Sequence, residues 1–220
     1  MADLTRKQVI QMIAKANEPL NLRGLCATPY NYHKKKGLFF EWYLFLVELN
    51  LYRKTDFSFL DLSGTDLSCS SLRYVNLERA NLGGARFNQA DLIRANLYGA
   101  DLTGADFTDA DLGYANLISS QLEGAILEGA NFRRADLSAA KLRGTDLRRV
   151  DLSGAILRGT DLRRVNLSGA NLRNCDLTRA QIGGANLSGV DLRFANLSDA
   201  NLSGVDLDSA DLSGVIGYKS

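Results

Sequence analysis

The 220-residue chain is poor in the residues that carry catalysis, metal binding and disulfide cross-links. It has one histidine, two prolines and three cysteines. The cysteines, Cys26, Cys69 and Cys175, share no C-x-x-C spacing, which argues against both a zinc site and a disulfide framework. The sole histidine, His33, has no acid or nucleophile placed beside it in the sequence. We therefore predict a protein that is not an enzyme and that binds neither a metal nor a cofactor.

Further absences concern motifs and location. The chain has no Walker loop, no G-x-G-x-x-G after a strand and no nucleophile elbow. Its N-terminus has no charged-then-apolar signal region, so we expect a reducing cytoplasm. The longest apolar stretch, residues 38–52, contains Glu41 and Glu48 and is too short and too polar for a transmembrane helix.

What the chain does have is a five-residue pattern that runs from Leu60 to Val215 without losing phase. We number the positions of each pentad one to five. Position one is small, usually Ala; position two is usually Asp or Asn; position three is large and apolar; positions four and five vary, with Gly common at five. Of the 31 third positions from Leu62 to Leu212, 27 are Leu, three are Phe and one is Ile.

A period of five fits neither an α-helix nor a continuous strand, because both would scatter the leucines over several faces. Positions one and three can both point inward if positions one to three are extended and positions four and five turn the chain. Repeating that bend wraps the chain into a coil whose turns stack through backbone hydrogen bonds about 4.8 Å apart. We predict a packed core stack along the axis, represented by six residues: Leu62, Leu82, Leu102, Phe87, Phe107 and Phe132.

The runs Ala80-Asn81-Leu82-Gly83-Gly84 and Ala100-Asp101-Leu102-Thr103-Gly104 resemble the repeats of the pentapeptide-repeat family. The resemblance implies an all-β fold, a right-handed quadrilateral parallel β-helix with four pentads, or twenty residues, per coil. Residues 60–215 would then form nearly eight coils in a rod roughly 35–40 Å long.

Residues 1–55 are predicted to form an N-terminal cap and residues 56–220 the solenoid. Thr5 and Gln8 form a capping box for a helix over residues 4–16, and residues 20–24 have the shape of a first partial coil. Three interpretations of residues 38–52 stay open. They are a second piece of the cap, a segment that docks on a partner or on a membrane surface together with the preceding lysines (residues 34–52), or a pair of short strands.

The outward positions suggest where a partner would bind. Residues twenty apart become vertical neighbours, and two adjacent columns on one side are rich in aromatic residues and arginine, which interfaces favour. Arg over Tyr at this spacing would give exposed cation–π contacts. A second interpretation stays open, in which these exposed side chains bind no partner. The candidate partner surface comprises Arg73, Tyr74, Arg94, Tyr114, Arg133, Arg134, Arg173, Arg193 and Phe194.

Charge limits the other partners. Residues 1–55 carry nine Lys/Arg and four Asp/Glu, and residues 56–220 carry 17 and 21. Some proteins that this chain resembles mimic DNA and bind type II topoisomerases, which requires a dominantly acidic rod. A basic girdle over residues 133–164 argues against that role, and it is too discontinuous for direct nucleic-acid binding. We therefore favour a rigid scaffold for a protein partner of unknown identity.

The C-terminus shows no helix pattern after Leu212, so the last coil has no evident lid. An uncovered coil exposes backbone hydrogen-bonding groups and apolar edges. Two interpretations stay open: a homodimer in which two rods stack through this coil, as resembling proteins often do, and self-capping by Ile216 and Tyr218.

Overall fold

The computed structural model describes residues 56–218 of the chain. These residues form a four-sided parallel β-solenoid, which confirms the β-solenoid architecture that the resemblance implied. The predicted cap helix at residues 4–16, the partial coil at 20–24 and the apolar segment at 38–52 lie outside the described residues.

Each side of the solenoid is built from single bridge residues and not from long strands. Position two of nearly every pentad, from Asp56 onward, forms a parallel bridge with the residue twenty positions further on, and the last such bridge joins Asn196 to Ile216. Residues 56–218 contain neither a helix nor a strand longer than one bridge residue. No part of this range, then, is a helix with the length and apolarity needed to cross a membrane. The twenty-residue coil that the resemblance implied is confirmed by this bridge spacing.

Backbone hydrogen bonds account for both the stacking and the corners. In the central coils the Leu102 N–H donates to the carbonyl of Gln121 at 2.8 Å, and the Gln121 N–H donates to the carbonyl of Ala100 at 3.0 Å. The corner is closed between consecutive pentads, where the N–H of Ala105, at position one, donates to the carbonyl of Leu102, at position three of the preceding pentad, at 3.0 Å. The chain therefore satisfies its polar backbone partly between coils and partly within each turn.

Positions one and three form a continuous core. The six residues of the predicted core stack are at most 4 % exposed. Phe87 and Phe107, which are vertical neighbours, stack with ring centroids 4.7 Å apart and an interplanar angle of 3°. Buried polar residues at position one satisfy their hydroxyl groups by hydrogen bonds to the backbone. The hydroxyl of Thr160, for example, donates to the carbonyl of Leu137 at 2.8 Å. The leucines point inward, as the pentads predicted.

The fifth position of the pentad has an unusual backbone. From residue 59 to residue 214 these positions have positive φ with a single exception, and seventeen of them are not glycine, with φ between 53° and 61°. Positive φ at the third residue of the turn is what type II turns require. The side chains at these corners include tyrosine, phenylalanine and arginine, so the coil imposes a left-handed conformation that such residues rarely adopt.

The exception lies in the last coil, where the ladder is interrupted. Ser209 lacks positive φ, and Asp206 forms no bridge with Asn186. The Gly189 N–H donates to the hydroxyl of Ser209 at 3.1 Å. The inward residues of this coil, including Leu202, Leu207 and Leu212, are only partly buried. The described rod therefore ends in a coil that is less regular and less covered than the others.

The backbone at position five predicts opposite effects for two matched substitutions. Ala139 is exposed, with φ of 56°, and Ala139→Gly relieves the left-handed strain, so we expect it to stabilise the fold by about 0.5–1 kcal/mol. Gly144 has φ of +72° and nothing within 4 Å of an added Cβ, so Gly144→Ala imposes that strain without a clash and should destabilise by a similar amount. Urea unfolding of both variants measures the difference. Two changes of the same sign would contradict the prediction.

Candidate partner surface

One side of the rod carries a vertical row of aromatic and arginine side chains at position five. We call the row at residues 74, 94, 114, 134, 154, 174 and 194 the aromatic–arginine column. Tyr74, Arg94, Tyr114 and Arg134 have φ between 56° and 61°, so each occupies the same corner conformation one coil above the last. Because the coils stack about 4.8 Å apart, the side chains project from neighbouring points along one edge.

The lower half of the column is a continuous alternation of rings and cations. The guanidinium carbon of Arg94 lies 5.7 Å from the ring centre of Tyr74 and 5.5 Å from that of Tyr114. That of Arg134 lies 5.7 Å from Tyr114, and its Nη1 donates to the Tyr114 hydroxyl at 3.1 Å. The cation–π contacts expected from the sequence are thus present. Tyr74 and Tyr114 are still 44 % and 49 % exposed, which leaves them available to a partner.

The upper half of the column is discontinuous. Gly154 and Asn174 separate Phe194 from the stack, so Phe194, which is 56 % exposed, joins the surface but not the stack. Its ring lies against the glycine one coil above, since a Cβ added to Gly214 would come within 2.6 Å of the ring. The structure therefore divides the predicted surface into a four-residue stack and a separate exposed ring.

The adjacent column holds the other four predicted residues, and each is tied to an aspartate. Arg73 pairs with Asp91 at 3.1 Å, Arg133 with Asp151 at 3.8 Å, and Arg173 with Asp191 at 3.9 Å. Each of these partners lies at position two of the next coil. Ion pairs this exposed contribute little to stability, but they hold the arginines along the side of the rod.

Arg193 is the most strongly held of the four. Its guanidinium lies 2.6 Å from Asp191 and 3.4 Å from Asp211, the two carboxylates of a directly stacked pair. The hydrogen bond from Arg193 lowers the pKa of Asp191, and that bond in turn raises the pKa of the guanidinium. Arg193 therefore offsets the like charges that the sequence places one above the other.

A second cluster of the same kind was not found from the sequence. On the neighbouring corner, the guanidinium carbon of Arg79 lies 5.8 Å from the ring centres of both Phe59 and Tyr98. Phe59 is 65 % exposed. Two spacings in the sequence relate these residues: Arg79 follows Phe59 by twenty residues and precedes Tyr98 by nineteen. Only the first spacing lies within one column; the second joins position five of one coil to position four of the next.

The groups that could support chemistry have structural roles. Carboxylates and amides at position two accept the backbone N–H two residues on, as Asp111 does from Gly113 at 2.9 Å, and many also bond the coil above or below. Burial raises the pKa of the Cys175 thiol to about 12, and its Sγ lies 2.8 Å from the carbonyl of Leu152. Across residues 56–218 no group of three or more His, Cys, Asp and Glu residues is arranged to hold a metal ion.

Comparison with known families gives a clear match. The model of pentapeptide repeats matches in eight copies, over residues 70–109, 115–154, 145–181 and 185–216. No curated protein sequence matches the chain significantly.

Several solved structures are similar in sequence pattern. HetL, a pentapeptide repeat protein involved in heterocyst differentiation regulation from the cyanobacterium Nostoc sp. strain PCC 7120, is 34 % identical, with 74 % of this chain and 89 % of HetL covered and a TM-score of 0.28. A trypsin-treated variant of QnrB1, a plasmid-mediated fluoroquinolone resistance protein, is 19 % identical, with the same coverages and a TM-score of 0.48. Rfr23 from the cyanobacterium Cyanothece 51142 is 23 % identical over 78 % of this chain and 95 % of Rfr23, with a TM-score of 0.21. Because these TM-scores are below 0.5, the fold rests on the bridges and burial described above.

The Asp191–Arg193 pair predicts a pH-dependent contribution to stability. The pKa of Asp191 is lowered in the folded protein, so its stabilisation is present above the unfolded value of about 3.9 and is lost as the pH falls through the folded pKa. In Asp191→Asn the side-chain amide oxygen can still accept the backbone N–H of Arg193. One coil earlier in the same column, Asn171 accepts the Arg173 N–H in this way at 3.2 Å. We expect this variant to lower the Tm by a few degrees at pH 7 and by progressively less as the pH falls from about 3.9 towards about 2. Thermal unfolding between these pH values tests it, and a loss that persists in acid would contradict an ionic origin.

Proposed function

The chain belongs to the pentapeptide-repeat family, and from this premise we propose that it is a non-enzymatic scaffold that binds a protein partner along the aromatic–arginine column. The single observation that carries the proposal is the position of Arg94 between two half-exposed tyrosines. We take the coil to be right-handed, as the resemblance to the family implies.

Stacking prepares the column for binding. Each cation–π contact is worth about 0.5–1 kcal/mol at an exposed site, so neighbouring rings and guanidinium groups restrict one another before a partner arrives. The entropy that a partner must remove on binding is reduced accordingly. Stacking uses the faces of a guanidinium, so the in-plane N–H groups of Arg94 stay available for a carboxylate or carbonyl oxygen.

The remaining features support a scaffold over a catalyst. The buried thiol of Cys175 is held in its neutral form, and the position-two carboxylates serve the turns and ladders. A cytoplasmic location is part of the proposal, supported by the buried, unoxidised thiol of Cys175. The alternative in which residues 34–52 dock on a membrane surface concerns a segment outside the described residues, and a flotation test with liposomes would address it.

The partner proposal predicts a selective loss of binding. Tyr114→Ala combined with Arg134→Ala removes two of the four members of the stack and should reduce partner recovery by at least tenfold, because anchors of this kind contribute about 2 kcal/mol or more. The matched control is Ile126→Ala with Arg149→Ala, which removes an exposed apolar residue and an arginine from another side. Affinity capture from native lysate with quantitative mass spectrometry compares the two. If both variants retain the same proteins as the wild type, the column is not the binding surface.

We also propose a homodimer in which two rods stack through the last described coil. Leu202, Leu207 and Leu212 are partly exposed there, and the interrupted ladder around Asp206 leaves the coil irregular. An uncovered apolar coil of a solenoid gains stability when a second copy covers it.

This end-to-end dimer should be lost when its apolar surface is charged. Leu207→Lys with Leu212→Lys is expected to give a monomer by light scattering at concentrations where the wild type is dimeric. Ile126→Lys, on the side of the rod, serves as the control. A wild type that stays monomeric at high concentration would remove the basis for the proposal.

A further inference from the structure

A different side of the rod has an unusual distribution of charge. We call residues 60–64, 80–84 and so on to 200–204 the split-charge side. Its first four pentads contain three acids, Asp61, Asp101 and Glu123, and no base. Its last four contain four bases and one acid: Lys141, Arg143, Arg163, Arg164 and Asp161. The two halves therefore carry −3 and +3, and none of the other three sides divides as strongly into an acidic and a basic half.

The charge changes sign at the midpoint of the side. Eight pentads lie on this side, and the boundary falls between the fourth, residues 120–124, and the fifth, residues 140–144. A twofold axis through that midpoint, perpendicular to the rod and in the plane of contact, would place two copies antiparallel and side by side. Because such an axis preserves the position across the side, position four of one copy meets position four of the other.

In that arrangement the acidic half of each copy faces the basic half of the other. The one like-charge contact joins Asp101 to the partner's Asp161, whose carboxylate is already paired with Arg163. Glu123 would face the partner's Arg143, Gln121 the partner's Lys141, and Thr103 the partner's Arg163. The same contacts recur on the other half of the interface by symmetry. Within residues 56–218 the Glu123, Lys141 and Arg143 side chains form no ion pair of 4 Å or less, whereas Arg163 is bound to Asp161 at 2.5 Å. The central groups are therefore available to pair with a second copy.

The shape of the side also suits close approach. Its corners are glycine in seven of the eight pentads, and the exception is Arg164. Antiparallel pairing would place the partner's Arg164 opposite Gly104, where nothing lies within 4 Å of an added Cβ. The one protruding corner side chain thus meets an open corner.

We propose that two copies of this protein associate antiparallel through their split-charge sides. A side about 38 Å long and about 10 Å wide would bury roughly 800 Å² in total, which is at the low end of specific interfaces, so the dimer is weak and salt-dependent. It is independent of the aromatic–arginine column, which lies on another side. It also differs in shape from the end-to-end dimer proposed above.

Two charge variants test the proposal. Asp101→Lys with Glu123→Lys makes the side entirely basic apart from Asp61 and Asp161. Lys141→Glu with Arg143→Glu makes the central part acidic. The solenoid already accepts Lys at position two, at Lys141, and both signs of charge at position four, at Glu123 and Arg143. Asp101→Lys also removes the carboxylate that accepts the Thr103 N–H at 3.0 Å. Glu128→Lys with Arg149→Glu makes similar changes around the next corner and serves as the control.

We expect each charge variant alone to weaken the wild-type dimer at least tenfold and a one-to-one mixture of the two to restore it as a heterodimer. In the mixture both contacts between positions 123 and 143 join opposite charges, and position 101 of the first variant faces Asp161 of the second with opposite charge. Analytical ultracentrifugation at low and high salt measures both. Small-angle scattering should show a dimer no longer than the monomer, whereas an end-to-end dimer is about twice as long. The proposal is overturned if the wild type is monomeric at millimolar concentration in low salt, if the charge variants dimerise like the control, or if the mixture forms no heterodimer.

Discussion

The structure depends on the backbone ladder that joins each position-two residue to its counterpart twenty residues on. Every bridge aligns a whole pentad with the pentad twenty residues further on. The leucine at position three and the corner side chain at position five are therefore aligned with their counterparts in the next coil without further contacts. Hydrophobic burial provides the main driving force, since the inward residues from Leu62 to Leu197 are nearly all excluded from solvent. The ladder decides the register in which that burial takes place.

Because the interior and the turns occupy positions one, two, three and part of five, position four and the outward face of position five are left free to vary. The features that distinguish this chain from a uniform repeat lie there: the stacked Tyr74, Arg94, Tyr114 and Arg134, and the charges from Asp101 to Arg164. Because the coils stack regularly, side chains that are twenty residues apart in the sequence form one continuous surface. Two sides of one rod therefore present different chemistry, aromatic and cationic on one and split by charge on the other.

The interior of the fold could be predicted from the sequence because period five has few solutions that bury two residues in every pentad. The contacts of Arg94 and Arg134 followed from the twenty-residue coil by simple addition. The conformation of the corners could not be predicted so completely. Glycine at position five indicated a tight turn, but tyrosine and arginine at the same position gave no sign of positive φ, because the coil imposes it against their local preference. The contact between Arg79 and Tyr98 was missed because it crosses between columns, and the interruption at Asp206 has no signal in a pentad that matches its neighbours.

The twenty-residue coil has a consequence for how such a chain can lengthen. An insertion of twenty residues adds one coil and leaves every later side chain on its original side of the rod. An insertion of five residues keeps the core intact but rotates everything beyond it by a quarter turn, which would move Arg134 away from Tyr114 and bring Arg143 out of line with Glu123. Duplication of a single pentad is therefore neutral for folding but disrupts the columns of surface side chains. Only duplication of a whole coil extends a binding surface and keeps the existing columns aligned.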